Sequence, residues 1–182
     1  MKKLSYEAIL AERITAEESL KSKRHPVSLM LHNIRSLYNV GSIFRTADSA
    51  MLSEIILCGF TPHPPRKEIE KTALGAVDSV PWNYEKDIFK AIEKQKAKNV
   101  KVVALELTDK KRKYTTLEND DYPICLVLGN ELVGIEDEVL EACDGAVEIP
   151  MFGVKHSLNV SVSAGVAAYE AVRKWHIIKD NA

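Results

Sequence analysis

Four apolar runs in the 182-residue chain each end in a short segment that could bind a ligand through its side chains or its backbone. These segments are Asn33 to Arg35, Leu105 to Thr108, Gly129 to Glu131 and Ile149 to Met151. In an open parallel sheet, ligands bind beyond the carboxyl ends of the strands. If the four runs are parallel strands, these amide, carboxylate and backbone groups converge at one edge and form a single binding site.

The placement of the glycines indicates which loops would hold the ligand. The first apolar run leads into NIRSLYNVGSIFR, which contains one glycine and no GxGxxG turn, so a Rossmann dinucleotide site is not predicted. Five of the eight glycines lie in the last third of the chain, namely Gly129, Gly134, Gly145, Gly153 and Gly165. Because glycine permits close approach of the backbone, the C-terminal loops are the candidates. Each glycine taken alone also fits an ordinary turn.

The cysteine pattern bounds the compartment and the metal chemistry. Cys58, Cys125 and Cys143 lie in or beside apolar runs and have no CxxC spacing, which favours a reducing compartment over disulfides or a zinc site. The sequence shows no metal-ligand cluster, so no metal is predicted. No apolar stretch follows Lys2 and Lys3, and no run approaches the roughly 18 apolar residues of a membrane span. We therefore expect a cytoplasmic protein without a membrane partner.

The charge balance predicts that any nucleic-acid surface is local. The formal net charge is −1, whereas proteins that bind nucleic acid usually carry a basic surface. Basic runs occur at Lys21 to Arg24, at Arg66 and Lys67, and at Lys110 to Lys113. Such a run taken alone is usually a solvated surface. The sequence leaves open whether any of these three runs contacts RNA.

Apolar strands that alternate with helices predict an α/β fold, in which one parallel sheet is covered by helices on both faces. Strands are predicted at 28–34, 54–60, 100–107, 124–130 and 145–151, and helices at 39–51, 85–98, 136–143 and 159–175. Residues 1–24 form a polar helical region with a capping box at Thr15 to Glu18, and 61–82 form a long connection. We predict one domain, 26–182, after a short helical extension, 1–25.

Three segments together resemble the three motifs of the SpoU/TrmH branch of the SPOUT superfamily of RNA methyltransferases. They are NIRSLYNVGSIFRTAD (33–48), LVLGNELVGI (126–135) and IPMFGVKHSLNVSVSAGVAAYE (149–170). One such motif would be weak evidence of the family. All three occur in the family's order on predicted strand ends, and the resemblance runs from about residue 27 to 175.

The resemblance implies a deep trefoil knot at the C-terminal end, S-adenosylmethionine bound in that knot, and a homodimer whose protomers share each active site. The implied reaction is methyl transfer to a ribose 2′-hydroxyl of tRNA or rRNA, without a metal. Two alternatives stay open: a SPOUT-type methyltransferase acting on a guanine nitrogen, and a noncatalytic RNA-binding relative. Larger relatives add an N-terminal RNA-recognition domain, so the short extension here leaves the substrate open.

The first motif supplies two candidate catalytic residues, Arg45 and Asn39. Arg45 matches the family's catalytic arginine, which has been considered a base. An arginine pKa above about 12 makes that role physically awkward, and its planar fork better suits gripping a phosphate or stabilising an alkoxide. Asn39 lies six residues earlier and so on a different helical face. Either it caps the helix, or it belongs to the active site, or it does both.

The second and third motifs supply the other implied site residues. Glu131 could orient Arg45 or accept the hydroxyl proton through water, or could simply be a charge at a helix start. Ser157 and Asn159 match the family's catalytic Ser-Leu-Asn and are also good N-caps for the last helix. The implied cofactor pocket, formed mostly by main-chain donors and apolar walls, consists of Leu105, Gly129, Ile149, Met151 and Leu158.

The last predicted helix is apolar around much of its circumference. Large residues, namely Val162, Val166, Tyr169 and Val172, lie on one side. Small residues make a second surface, namely Ser161, Ala164, Gly165, Ala168 and Ala171. A helix with two apolar surfaces should be buried on more than one side, which fits one contact with the core and one with a second protomer.

Overall fold

Six short runs of the chain pair into a single all-parallel sheet in a computed structural model that describes residues 1–181. The strands are β1 (Val27–His32), β2 (Ile55–Cys58), β3 (Trp82–Glu85), β4 (Lys101–Leu105), β5 (Ile124–Leu128) and β6 (Gly145–Val147). Their order across the sheet is β3-β2-β1-β5-β4-β6. The predicted parallel α/β architecture is therefore confirmed, and β1, β5 and β4 lie in its interior.

Residues 1–181 also contain eight α-helices. They are α1 (Tyr6–Ala11), α2 (Ala16–Lys21), α3 (Leu37–Ser49), α4 (Lys67–Ala73), α5 (Ala76–Ser79), α6 (Ile88–Ala97), α7 (Asp137–Ala142) and α8 (Val160–Asp180). No helix among residues 1–181 is long and apolar enough to cross a lipid bilayer.

The strands β1, β2 and β5 are buried on both faces, as their largely apolar composition predicts. In β1, Leu29 and Leu31 point into a core that includes residues of α3, α4, α5 and α8. Met30, between them, points into a second core with residues of α6 and α7. Since successive side chains of a strand alternate between faces, a strand buried on both faces is largely apolar along its whole length. Full burial of each such apolar side chain contributes roughly 1.5–3 kcal/mol to the free energy of folding, relative to leaving it exposed.

The N-terminal extension is attached to the core by Arg24. The predicted capping box at Thr15 is present and starts α2, because the Thr15 hydroxyl accepts from the Glu18 backbone while the Glu18 carboxylate accepts from the Thr15 N–H. Arg24 Nη1 donates to the Leu52 carbonyl (2.9 Å), and Nη2 donates to the Ser19 carbonyl (3.2 Å). These bonds hold the end of α2 against the edge of the core.

The structure corrects three details of the prediction. Residues 61–82 are not a plain connection, because α4 and α5 form there and β3 begins at Trp82. The prolines between residues 61 and 66 suggested a loop. However, α4 begins at Lys67, beyond these prolines, and a proline does not interrupt a helix that starts after it. α3 begins at Leu37 with Ser36 as its N-cap, so Asn39 is not the cap. α8 extends to Asp180, beyond the predicted end at 175.

Candidate active site

A cavity of about 430 Å³ opens at the carboxyl edge of the sheet, between the segments that follow β4, β5 and β6. Its lining includes all five residues predicted to hold the cofactor, namely Leu105, Gly129, Ile149, Met151 and Leu158. Four of these contribute aliphatic or thioether walls, and Gly129 contributes only backbone. The structure therefore brings together residues that lie up to 53 positions apart, which the strand-end rule anticipated.

The glycine pair after β5 makes the cavity wall possible. The backbones of Asn130 and Gly134 bond to each other in both directions (3.0 and 2.9 Å), which folds the segment back on itself. A Cβ at Gly129 would collide with the Gly134 carbonyl oxygen. Gly134 has φ of 72°, in the left-handed region that glycine tolerates best. Gly129 is therefore required by this chain's own fold, before any ligand is considered.

Glu131 anchors the cavity wall to the start of α3. Its carboxylate accepts hydrogen bonds from the backbone N–H groups of Arg35 (2.9 Å) and Ser36 (3.1 Å) and from Asn39 Nδ2 (2.9 Å). Partial burial raises the pKa of Glu131, but these three donors outweigh that effect and hold its pKa below the usual value. The side chain is thus an ionised clamp whose oxygens are already occupied.

Asn39 continues this network to the last helix. While its Nδ2 donates to Glu131, its Oδ1 accepts from Asn159 Nδ2 (3.2 Å). Asn159 Oδ1 in turn accepts from the Ser161 backbone N–H (2.9 Å) and so caps α8. The N-cap alternative for Asn39 is therefore wrong, and that for Asn159 is confirmed. Glu131, Asn39 and Asn159 form one polar chain beside the cavity, hereafter the polar triad.

Ser157 and Arg45 lie differently with respect to this triad. Ser157 lines the cavity from an exposed loop, next to His156. Arg45 is exposed on α3 and lines a second depression instead, between α3, α4 and α8. Within residues 1–181 of one chain, Glu131 bonds to the start of α3 and makes no hydrogen bond to Arg45. A single chain therefore does not assemble the whole predicted set in one place.

α8 shows an unusual distribution of side-chain sizes. Its small residues face the protein, with Ala164, Ala168 and Ala171 fully buried. Its larger residues face outward, with Val162 49% and Tyr169 52% exposed. An outward apolar stripe on a helix whose other side packs against the core is typical of a surface that another molecule covers.

Glu106 is a site residue that the sequence did not single out. Its Oε2 accepts from the Ile135 backbone N–H (3.2 Å) and its Oε1 from that of Leu107 (2.9 Å), so it ties the segment after β4 to the segment after β5. Asn130 has a similar role, because its Nδ2 donates to the Asn33 carbonyl (2.8 Å). The available signal was positional, since both lie in the last two residues of a predicted strand, 100–107 and 124–130. Within the described chain, no group of three or more histidine, cysteine or acidic residues could hold a metal.

The sequence of this chain is similar to that of a known protein family and of several named proteins. The family model described as the SpoU rRNA Methylase family matches residues 26–169. The tRNA (guanosine(18)-2′-O)-methyltransferase of Thermus thermophilus is 30% identical over 164 residues, which are 90% of this chain and 83% of that protein. A relative from Staphylococcus haemolyticus, whose name places it in the TrmH family, is 32% identical over 154 residues, 85% of this chain and 61% of that protein.

A solved structure is also similar to this chain in its fold. The AdoMet-bound rRNA methyltransferase of Sinorhizobium meliloti superposes with a TM-score of 0.77 and 32% identity, covering 83% of this chain and 57% of that one. The present chain thus spans about three fifths of the length of the S. haemolyticus and S. meliloti proteins.

Proposed function

Because the chain belongs to the SpoU rRNA methylase family, we propose that it transfers a methyl group from S-adenosylmethionine to a ribose 2′-hydroxyl of RNA. The observation that carries the proposal is that the cavity and the polar triad lie next to each other at the same edge of the sheet. The cavity collects Leu105, Gly129, Ile149, Met151 and Leu158, and the polar triad lies directly beside it. The RNA is tRNA or rRNA, as in the relatives.

The cavity fits S-adenosylmethionine in size and in chemistry. Its volume, about 430 Å³, lies within the range of small-molecule sites, roughly 300–1,000 Å³. Aliphatic walls suit an adenine ring, and the carboxylates of Glu106, Glu131, Asp137 and Glu148 on the lining suit a ligand that carries positive charge. When bound, this cofactor supplies an electrophilic methyl group on a sulfonium. The task left to the protein is to align the ribose oxygen and to stabilise charge.

We assign the alignment to the polar triad and to Ser157. Glu131 and Asn39 already bond to each other and to the start of α3 and of α8, so they position the wall rather than exchange protons. The lowered pKa of Glu131 also makes it a poor base. Ser157 lies on the cavity lining and is exposed, so its hydroxyl can contact the substrate.

We assign the stabilisation of charge to Arg45, acting in the cavity of a partner protomer. Its depression is separate from the cavity of its own chain, and both regions border α8. A guanidinium stays protonated at neutral pH, so Arg45 would hold the neighbouring phosphate or the developing alkoxide rather than remove the proton. The stripe of Val162, Val166 and Tyr169 would be the surface on which two copies meet.

The remaining parts of the proposal concern topology, domain extent and compartment. α8 returns from the edge strand β6 to pack on α3, β1 and β5, which is compatible with the trefoil knot that the resemblance implies. The family match begins at residue 26, which supports a catalytic domain of 26–182 after an extension of 1–25. The three free thiols of Cys58, Cys125 and Cys143 support a cytoplasmic setting.

The test is transfer of a tritiated methyl group from S-adenosylmethionine to unmodified tRNA and rRNA, followed by alkaline hydrolysis and nuclease mapping. A ribose 2′-O-methyl group blocks alkaline cleavage of the adjacent phosphodiester, so we expect the label in alkali-stable dinucleotides. Label in mononucleotides would support methylation of a base instead. RNA binding without transfer, together with no calorimetric signal for S-adenosylmethionine, would support a noncatalytic relative.

A further inference from the structure

The second depression, of about 490 Å³, carries positive charge without a counter-ion. Two cationic side chains line it, Arg45 of α3 and Lys71 of α4, and none of its nine lining residues is acidic. In the described part of the chain, neither cation lies within ion-pair distance of a carboxylate, whereas Lys94 pairs with Glu85 and Lys96 with Asp144. For a chain of net charge −1, this is a local concentration of positive charge.

The rest of the lining leaves the depression open to a large ligand. On α3, Ser42 and Ser49 flank Arg45 at the spacings that place all three on one helical face. On α8, Ser161 lines the far side, and Gly165 lacks a side chain where a Cβ would lie 3.9 Å from Thr46 Cγ2. Apart from Leu74 and Tyr169 at its border, the residues around the two cations carry small hydroxyl side chains, which leave both cations accessible.

Close packing of α4 on α3 fixes the backbone of Lys71 relative to that of Arg45. Gly41 of α3 has no room for a Cβ, which would collide with Thr72 Oγ1 and the Ile69 carbonyl oxygen. The Thr72 hydroxyl also donates to the Tyr38 carbonyl of α3 (3.1 Å). Since Lys71 directly precedes Thr72, its backbone is held against the helix that carries Arg45. Preorganised cations lose less freedom when they bind an anion.

We propose that Lys71 binds a backbone phosphate of the substrate RNA and, with Arg45, forms one phosphate-binding surface. Phosphate oxygens are the commonest partners of Lys and Arg in nucleic-acid complexes, and such contacts set affinity and register independently of sequence. The inference rests on the proposed function, because it is that function which makes RNA the polyanion at Arg45. It adds a second cation from another helix, at a residue outside the three motifs.

The experiment compares RNA affinity for Lys71→Ala, Lys71→Arg and a control, Lys90→Ala. Lys90 is an exposed lysine of α6, on the opposite face of the sheet from Lys71. The Lys90→Ala substitution therefore removes one positive charge at a site away from the depression. The probe is fluorescein-labelled unmodified tRNA, measured by anisotropy from 50 to 250 mM KCl. Sedimentation of each variant checks assembly, and calorimetry with S-adenosylhomocysteine checks the cofactor cavity.

For Lys71→Ala we expect about tenfold weaker RNA binding, typical of the loss of one charged hydrogen bond. The slope of log affinity against log salt should also fall by about 0.7 to 0.9, the value for one released counter-ion. Lys71→Arg should retain most of the RNA affinity, and the RNA affinity of Lys90→Ala should stay within twofold of that of the wild-type protein. Cofactor affinity and assembly should not change.

Wild-type affinity and salt slope in Lys71→Ala would overturn the inference, as would weaker binding accompanied by loss of assembly. A lysine that serves only the C-terminal dipole of α4 would change stability but not the salt slope. The proposed function is tested separately by methyl transfer with the wild-type protein. A Lys71 effect on RNA binding without any transfer would therefore refute the reaction but not the phosphate contact.

Discussion

Replacement of Glu131 by glutamine should weaken the junction between the cofactor cavity and the start of α3. The carboxylate accepts from three donors, whereas a glutamine side chain has one acceptor oxygen and a nitrogen that only donates. If that oxygen stays with Ser36 and Asn39, the N–H of Arg35 loses its partner. A charge-assisted hydrogen bond contributes about 1.5–3 kcal/mol, and Arg35 is exposed, so we expect a loss near 1.5 kcal/mol at pH 7.5.

The pH dependence of this loss is a sharper test than its size. Because the folded-state pKa of Glu131 is lowered, its stabilisation is complete above the unfolded pKa of about 4.3 and is lost as pH falls through the folded value. Urea unfolding at pH 7.5, 5.5 and 3.5 should therefore show equal differences at the first two and a smaller one at the third. Glu93→Gln, an exposed change on α6, is the control. A Glu131→Gln protein as stable as wild type at pH 7.5, or equally destabilised at pH 3.5, would refute the reasoning.

Two further predictions concern catalysis and assembly. Arg45→Ala should lower the rate of methyl transfer by on the order of 10² to 10³ while calorimetry shows cofactor affinity within a few-fold of wild type. Arg45→Lys should restore activity only if charge suffices without the planar fork, and full activity in Arg45→Ala would contradict the assignment. Light scattering at micromolar concentration should give a dimer mass for wild type and a monomer mass for Val166→Glu, which places a charge in the exposed stripe of α8. A monomeric wild type would contradict the shared site.

The cavity could be predicted because its residues follow a general rule of the fold. Leu105, Gly129 and Ile149 lie at or just beyond the ends of β4, β5 and β6, and the carboxyl ends of parallel strands meet at one edge. The alternation of strands with helices was enough to predict a parallel sheet, but not its edge strand β3, whose sequence WNYE is largely polar. Apolar composition without alternation was enough to predict burial on both faces.

The hydrogen-bond partners of Asn39 could not be predicted from its own neighbourhood. Its two hydrogen-bond partners lie 92 and 120 residues away, so local patterns offered only a capping role, which Ser36 in fact fills. The short helices α4 and α5 were missed for a related reason. Their few apolar residues, such as Ile69 and Ala73, show too little periodicity to distinguish a helix of four to seven residues from a loop.

The polar triad can form only when distant segments of the chain have come together. Its members come from the start of α3, the segment after β5 and the start of α8, and ordering such distant segments costs chain entropy before any bond between them compensates. Local helices can form without the triad, but the triad cannot form without the sheet. Competence to bind the cofactor therefore reports that the whole topology is in place, and a chain whose helices have formed can still be entirely inert.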